Sequence, residues 1–243
     1  IEMSAAFPAA MAHGAIEEAF ENVFVVEGTY VGEFFGATWT FGRNMVVVRE
    51  GDQLTLINSV RLSDEGLAKL EALGKVKNLV KIGSLHGCDD AFYIERYHPT
   101  FWALPGMPHA EGVSADRELR ADALPLAACK LFTFTTTKLP ECVLVLERAD
   151  GNIVIACDSL QNWEEADAHT DAATAALMKE KGFFCQANCG PAWMMFTEPK
   201  PEDFTAFKAS VGSFEHAVCG HGSVLRGGAS AKYAQTFKKL FGV

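Results

Sequence analysis

The stretch GSLHGCDDA, residues 83–91, decides the fold, because it places three metal-binding residue types at alternate positions. His86, Cys88 and Asp90 would point to one side of an extended loop, and an imidazole, a thiolate and a carboxylate are all competent zinc ligands. The loop leaves the end of a predicted buried strand over residues 76–82. In the alternative interpretation Asp90 only caps the next helix and Cys88 is a packing residue, and the spacing alone does not decide between the two.

Two later segments also end a predicted strand in a metal-binding side chain. In IVIACDS, residues 153–159, a hydrophobic run ends at Asp158, and in AVCGHG, residues 217–222, His221 lies between two glycines that permit a sharp turn. Loops at strand ends are where a rigid scaffold carries functional groups. Taken singly, Asp158 is better interpreted as a turn former or helix cap, and His221 as a structural histidine.

In this order, the three segments resemble the metallo-β-lactamase superfamily, the group that includes glyoxalase II and the lactonases. His86 falls at the start of the family's H-x-H-x-D-H motif, Asp158 at its bridging aspartate, and Gly220-His221-Gly222 at its late G-H-G motif. The resemblance covers most of the chain. It implies an α+β fold, a four-layer αββα sandwich with a metal site at one edge of the two sheets.

The family's metal-binding motif is incomplete in this chain. Cys88 replaces the second histidine, Ala91 replaces the last one, and Thr137 stands where the family has the histidine of its G-H-T-P-G-S turn. Glu141 lies at the start of the strand that follows the lost histidine. The sequence leaves open whether Glu141 is a further ligand. The motif is therefore degenerate, and the resemblance implies fewer metal ligands than the family provides.

Five residues remain as predicted metal ligands. One half-site would keep His86, Cys88 and Asp158, and the other would keep Asp90, Asp158 and His221. Three protein ligands with one open position suffice for a catalytic zinc or iron ion. The resemblance therefore implies a hydrolase that uses one metal ion to cleave an ester, a thioester or a lactone. Asp90 or Asp158 would orient the nucleophile and accept its proton.

Two other functions stay open at this point. After ligand loss, the chain would be a catalytically silent member of the superfamily that binds a partner and holds no metal. With a mixed histidine and carboxylate set, it would be a non-haem iron protein. A thiol nucleophile built from Cys88 and His86 fits less well, because residues two apart on one strand rarely present that geometry. The sequence contains no G-x-S-x-G elbow and no P-loop.

Charge and composition limit the partners. The chain has 243 residues and a formal net charge of −10, which repels a nucleic-acid backbone. Its apolar runs are far shorter than the roughly 20 residues of a membrane-spanning helix. The seven cysteines form an odd set without C-x-x-C, which indicates a reducing compartment. We therefore expect a cytoplasmic protein with a small-molecule substrate, and the sequence leaves its oligomeric state open.

The pattern of elements predicts one domain made of two αβ halves, approximately residues 20–125 and 126–243. Each half contains a strand meander followed by helices. Helices are predicted over residues 63–73, 89–97, 166–181, 203–211 and 229–241. Strands are predicted over residues 23–26, 30–35, 38–41, 45–49, 54–57, 76–82, 100–104, 130–135, 141–148, 152–157 and 216–219.

Overall fold

The computed structural model describes residues 7–243, which form an α+β protein built on two main β-sheets. The first sheet has seven strands that lie side by side in chain order. The first four are antiparallel neighbours, and the pairings from the fourth to the seventh are parallel. The strands are β1 (Glu17–Phe20), β2 (Val23–Phe34), β3 (Ala37–Glu50), β4 (Gln53–Ile57), β5 (Lys75–Lys81), β6 (Thr100–Ala103) and β7 (Arg117–Glu118).

The second half of the chain supplies a four-stranded sheet and a separate two-stranded one. Its strands are β8 (Cys129–Thr133), β9 (Cys142–Leu146), β10 (Ile153–Ile155), β11 (Gln161–Trp163), β12 (Cys185–Asn188) and β13 (His216–Val218). The four-stranded sheet has the spatial order β13-β10-β9-β8, and β11 pairs with β12. The β10 and β13 strands are parallel, so their carboxyl ends lie at one edge of the sheet.

Helices cover the outer face of each sheet. They are α1 (Asp64–Leu73), α2 (Asp90–Tyr97), α3 (Ala172–Glu180), α4 (Pro191–Thr197), α5 (Pro201–Val211) and α6 (Ala229–Phe241). Leu70 of α1 packs in one buried cluster with the outer face of the first sheet, and Phe207 and Phe237 do the same on the second sheet. A further cluster, with Val46 and Leu144, joins the two inner faces. These layers confirm the predicted αββα sandwich.

The β2–β3 hairpin differs from the short strands that the sequence predicts. Residues 23–34 pair continuously with residues 37–48, so the four short strands that the sequence predicts form two long strands. The glycines that suggested turns are in fact sites of close approach. A Cβ on Gly28 would lie 2.3 Å from Val60 Cγ1, and a Cβ on Gly42 would lie 2.1 Å from the Asp167 carboxylate. Glycine is needed there for space, and the strands run through it.

Most of the predicted helices are confirmed, and α3 is the clearest correction. The sequence predicts a helix over residues 166–181, but α3 begins only at Ala172, after Asp171, whose carboxylate caps it by accepting from Thr174 N. Before it, Asp167 accepts hydrogen bonds from Trp163 Nε1 and the His169 N–H, which holds a turn. The short α4 was not predicted. In residues 7–243 every helix is too short or too polar to cross a membrane.

Candidate metal centre

Three of the predicted ligand side chains meet where strands of the two sheets end. His86 Nε2 lies 3.0 Å from His221 Nε2 and 3.3 Å from Asp158 Oδ2. His221 Nε2 lies 3.1 Å from Asp158 Oδ1. Each of the three side chains is at most 8% exposed. We refer to His86, Asp158 and His221 as the histidine–aspartate cluster.

Each residue of the cluster lies in the loop that follows a strand. His86 follows β5, Asp158 follows β10 and His221 follows β13. The parallel pairing of β10 with β13 brings Asp158 and His221 to one edge. The Cys142 N–H donates to Ile82 O over 2.9 Å, which attaches the end of β5 to β9. The His86 loop is thereby held against the second sheet, beside the other two residues.

A side chain from the first sheet holds the turn that carries His221. Asn44 Nδ2, on β3, donates to Cys219 O over 3.0 Å and to Gly222 O over 2.7 Å. The Asn44 N–H also donates to Gly220 O over 2.8 Å. Gly222 has a φ of 79°, and a Cβ there would lie 2.2 Å from a neighbouring backbone oxygen. Glycine is therefore required in this turn, as the G-H-G motif implies.

The hydrogen bond at the far side of the His221 ring fixes its tautomer. His221 Nδ1 lies 2.8 Å from Gly42 O, so Nδ1 donates and Nε2 of the neutral ring carries a lone pair. That lone pair faces Asp158 and His86. Burial raises the pKa of Asp158, but the two imidazoles, where they carry positive charge and donate hydrogen bonds to the carboxylate, outweigh this effect and hold the pKa well below its usual range. Burial lowers the pKa of His86, against the opposing effect of Asp158.

With Asp158 ionised, no placement of protons satisfies all three contacts of the cluster. If both Nε2 atoms carry hydrogen, the two hydrogens face each other across 3.0 Å. If one Nε2 atom carries none, its lone pair faces the carboxylate. A cation bound to all three groups resolves the conflict, because each then supplies a lone pair. Donors at the zinc distance of about 2.0–2.1 Å lie about 3.3 Å apart in a tetrahedral shell, near the observed 3.0, 3.1 and 3.3 Å. The cluster therefore fits a metal ion.

A fourth donor, which the sequence pattern does not single out, is the thiol of Cys157. Its Sγ lies 3.6 Å from Asp158 Oδ2. The donor atoms of His86, Cys157 and Asp158 all lie within 4.8 Å of one another. Burial raises the pKa of the Cys157 thiol well above its usual range, so the thiol is protonated without a metal. The apolar run that ends at Cys157 is typical of a core residue, so the sequence does not indicate that Cys157 lies beside the cluster.

Glu141 lies behind the Asp158 loop. It is buried, and its Oε1 accepts a hydrogen bond from the Ser159 N–H over 2.5 Å. Burial, and then the charge of Asp158, raise the pKa of Glu141 well above its usual range. The structure thus places this carboxyl group against the backbone of the loop that carries Asp158, in a supporting position.

Cys88 and Asp90 lie apart from the histidine–aspartate cluster. Asp90 is buried and accepts a hydrogen bond from Ser59 Oγ over 2.6 Å. Burial raises the pKa of Asp90 to about 6. Cys88 is an exposed residue that lines the cavity described below. Neither side chain joins the donors grouped around His86 among the residues that the structure describes.

An ion pair occupies the space next to Cys88 and Asp90. The Arg43 guanidinium contacts the Asp89 carboxylate and donates to Ser59 O over 2.9 Å. Asp89 also accepts a hydrogen bond from the Arg61 N–H over 2.7 Å. Asp89 precedes α2 as predicted, but its side chain does not cap the helix. Its carboxylate is paired with the Arg43 guanidinium instead.

A cavity of about 190 Å³ opens over the histidine–aspartate cluster. His86, Asp158 and His221 all line it, and most of the remaining wall is aromatic or aliphatic. The His221 ring stacks on Trp163 with ring centres 5.0 Å apart, and the ring of Phe41 lies 5.6 Å from it. The cluster is therefore the polar end of an apolar cavity.

At the level of sequence, the chain matches no protein-family model and no curated protein. Solved metallo-β-lactamase structures nevertheless resemble it along almost its whole length. The metallo-β-lactamase from Erythrobacter litoralis is 14% identical, with a TM-score of 0.57 over 93% of this chain and 92% of that one. FIM-1 from Pseudomonas aeruginosa, in its mono-zinc form, is 14% identical, with a TM-score of 0.59 over 96% and 97%. DIM-1 is 10% identical, with a TM-score of 0.63 over 94% and 99%.

These likenesses show the fold. The chain has the metallo-β-lactamase fold at low sequence identity, as the three short motifs predicted. The fold alone does not determine the reaction, since one fold hosts many chemistries.

Proposed function

We propose that this protein is a metal-dependent hydrolase that binds one metal ion through His86, Asp158 and His221. The observation that carries the proposal is the histidine–aspartate cluster, in which the donor atoms of three buried groups lie 3.0, 3.3 and 3.1 Å apart and no set of protons satisfies all three contacts while Asp158 is ionised. Buried polar groups are rarely left in conflict unless a ligand completes them. The cluster also lies at the end of a cavity, where a substrate can reach it.

Zinc is the metal that the donor set favours. Two imidazole nitrogens, a carboxylate and the nearby thiol of Cys157 are the mixed nitrogen, oxygen and sulfur donors that zinc accepts, and a weakly held thiol would leave room for water. His221 donates its second ring N–H to the Gly42 carbonyl, as metal-bound histidines usually do. The mono-zinc form of FIM-1 supports a single ion in this fold.

The chain's own residues would divide the remaining work. A zinc ion at this position, when bound, lowers the pKa of water to near neutrality. Asp158 is the carboxylate that lines the cavity, so it is placed to orient a water molecule, while its lowered pKa makes it a weak proton acceptor. Asp90 is less suitable, because its carboxylate accepts from Ser59 and it does not line the cavity. The substrate would be a small ester, thioester or lactone.

Metal analysis together with hydrolysis tests the proposal. We expect the untagged protein to contain about one zinc ion per chain, with one open coordination position for catalysis. Chelation should abolish hydrolysis of a panel of simple esters, thioesters and lactones, and zinc should restore it. His86→Asn should lose both metal and activity. His98→Asn is the matched control, because His98 is exposed at the end of α2 in a left-handed conformation that asparagine tolerates.

A catalytically silent binding protein is the second candidate, and the replaced motif positions favour it. Cys88, Ala91 and Thr137 stand where the superfamily has histidines. A protein that stays metal-free after reconstitution with zinc and with iron would support this candidate and contradict the hydrolase. Iron in place of zinc would keep the site and change the chemistry to that of a non-haem iron protein.

A further inference from the structure

The walls of the cavity over the histidine–aspartate cluster are built from both halves of the chain. Phe34 and Phe41 come from the β2–β3 hairpin, and Trp163 and Phe183 come from the second half. Phenylalanine, tyrosine and tryptophan make up about half of the lining residues. Such a surface binds flat or branched apolar groups through burial and aromatic packing.

The size of the cavity limits what it holds. An engineered cavity of about 150 Å³ lined by apolar side chains accommodates benzene. The cavity here has a volume of about 190 Å³. It is therefore large enough for a single aromatic ring or a short branched chain.

The charged side chains in the cavity wall already have partners within the protein. Arg43 and Asp158 are the formally charged residues among those that line it. The Arg43 guanidinium contacts Asp89 and donates to the Ser59 carbonyl. Asp158 faces the two imidazoles of the cluster. Away from the cluster, a carboxylate or phosphate on a ligand would find no unpaired cationic side chain in this wall, since Lys181 Nζ lies outside it over the ring of Phe35, and the net charge of −10 would repel the ligand further.

The apolar surface continues beyond the mouth of the cavity. Phe35, at the tip of the β2–β3 hairpin, is 45% exposed, and Phe196 of α4 is 39% exposed. Their rings are stacked, with centres 6.2 Å apart and planes 7° apart. Both residues line the cavity, so the hairpin and α4 form an aromatic rim. We refer to Phe35 and Phe196 as the rim pair.

We propose that the substrate carries an uncharged apolar group, the size of one aromatic ring or a short branched chain, attached to its scissile carbonyl. This inference rests on the proposed hydrolase function and adds the substrate class. The apolar group lies between the hairpin and the second half of the chain, and the carbonyl lies at the cluster. Anionic acyl termini are disfavoured, because Arg43, the cationic side chain of the wall, is already paired with Asp89.

Two esters that differ only in the terminal group test the substrate class. Methyl 3-phenylpropionate ends in a phenyl ring, and monomethyl succinate ends in a carboxylate after the same two methylene groups. We expect kcat/KM of the zinc-loaded protein to be at least about 100-fold higher for the phenyl ester. Equal values, or a preference for the succinate ester, would overturn the inference and leave the hydrolase function in place.

A binding measurement tests whether the cavity holds an apolar group without requiring that the protein hydrolyse it. 3-Phenylpropionamide is a neutral analogue, and succinamate is its anionic counterpart. We expect the metal-free protein to bind the phenyl amide and not succinamate, followed by calorimetry and by the fluorescence of Trp39 and Trp163, which line the cavity. If neither ester is cleaved with any metal but the phenyl amide binds, the hydrolase proposal fails and the cavity assignment stands. If the phenyl amide does not bind, the cavity assignment fails.

Lysine substitutions on α4 test whether the rim pair contacts the substrate. Phe196 lines the cavity, whereas its neighbour Met195 is 50% exposed and does not. Phe196→Lys should reduce kcat/KM for the phenyl ester about 10-fold and raise it for the succinate ester by a similar factor. Met195→Lys adds the same charge one residue away and should change neither. Identical behaviour of the two variants would show that the rim pair does not contact substrate and would contradict the proposal.

Discussion

The loop that runs from β5 to α2 has two ends that use the same residue types in opposite ways. At one end, His86 contacts Asp158 and His221, and their donor atoms lie 3.0, 3.3 and 3.1 Å apart without a complete set of hydrogen bonds. At the other end, Asp89 is bound by Arg43 and Asp90 accepts from Ser59. The first end lacks a complete set of hydrogen bonds, whereas each carboxylate at the second end has a partner within the protein.

The difference teaches that ligand-type residues become ligands only when their lone pairs are unclaimed. Both ends contain buried carboxylates, and the sequence cannot tell them apart. The pKa of Asp158 is held down by two imidazoles, while burial raises the pKa of Asp90 to about 6. Arg43 supplies at the second end the positive charge that a metal ion would supply at the first.

The largest expected effect comes from the same substitution made at both ends. Asp158→Asn should lower zinc affinity by about 1,000-fold or more, about 4 kcal/mol, because a neutral amide replaces the one anionic oxygen ligand of the cluster. Asp90→Asn keeps the same shape and should leave zinc affinity within about 3-fold, well under 1 kcal/mol. Competition with a zinc-binding dye measures both. Equal losses in the two variants would mean that Asp90 belongs to the metal site after all.

Breaking the ion pair at the second end should affect stability and leave the metal unchanged. Arg43→Gln leaves the Asp89 carboxylate, whose side chain is 18% exposed, without its cation. We expect the free energy of unfolding in urea to fall by about 2–3 kcal/mol, since breaking a mostly buried pair leaves one charge uncompensated. Arg96→Gln breaks an exposed pair with Glu71 and should cost less than about 1 kcal/mol. Loss of bound zinc in folded Arg43→Gln would contradict the division between the two ends.

The smallest expected effect concerns the two cysteines. Cys157 lies beside the histidine–aspartate cluster, and Cys88 lies in the loop next to the Arg43–Asp89 pair. Cobalt bound in place of zinc should show a thiolate charge-transfer band that Cys157→Ser removes and Cys88→Ser retains. Loss of this one ligand should weaken metal binding about 10-fold. Retention of the band in Cys157→Ser would remove Cys157 from the ligand set, and its loss in Cys88→Ser would restore the ligand that the family motif implies.

The features that the sequence predicted well are local. Ser63 and Gly74 mark the ends of α1, and the G-H-G turn at His221 needs glycine for its backbone geometry. Short hydrophobic strands ending in Asp158 or His221 put these side chains in loops, and the order of the motifs indicated the fold. Each of these signals lies within a few neighbouring residues.

The features that the sequence could not predict depend on distant contacts. Gly28 and Gly42 suggested turns, but they give space to Val60 and Asp167, which lie far along the chain. Arg43 and Asp89 are 46 residues apart, and nothing near either residue signals their pairing. Cys157 ends an apolar run, and such a run is typical of residues buried in the core. Its position beside His86 follows only from how the two sheets pack.

The hydrogen bond between His221 Nδ1 and the Gly42 carbonyl spans 179 residues of sequence, and this span sets the order in which the protein becomes complete. Contacts between distant residues form late, because the intervening chain must first be brought together. During synthesis Gly42 and His86 emerge long before His221, so the first sheet is available while the cluster still lacks a member. Capture of the proposed metal ion would then follow folding. The loading of this protein in a cell would depend on the supply of metal to the finished fold, separately from its rate of synthesis.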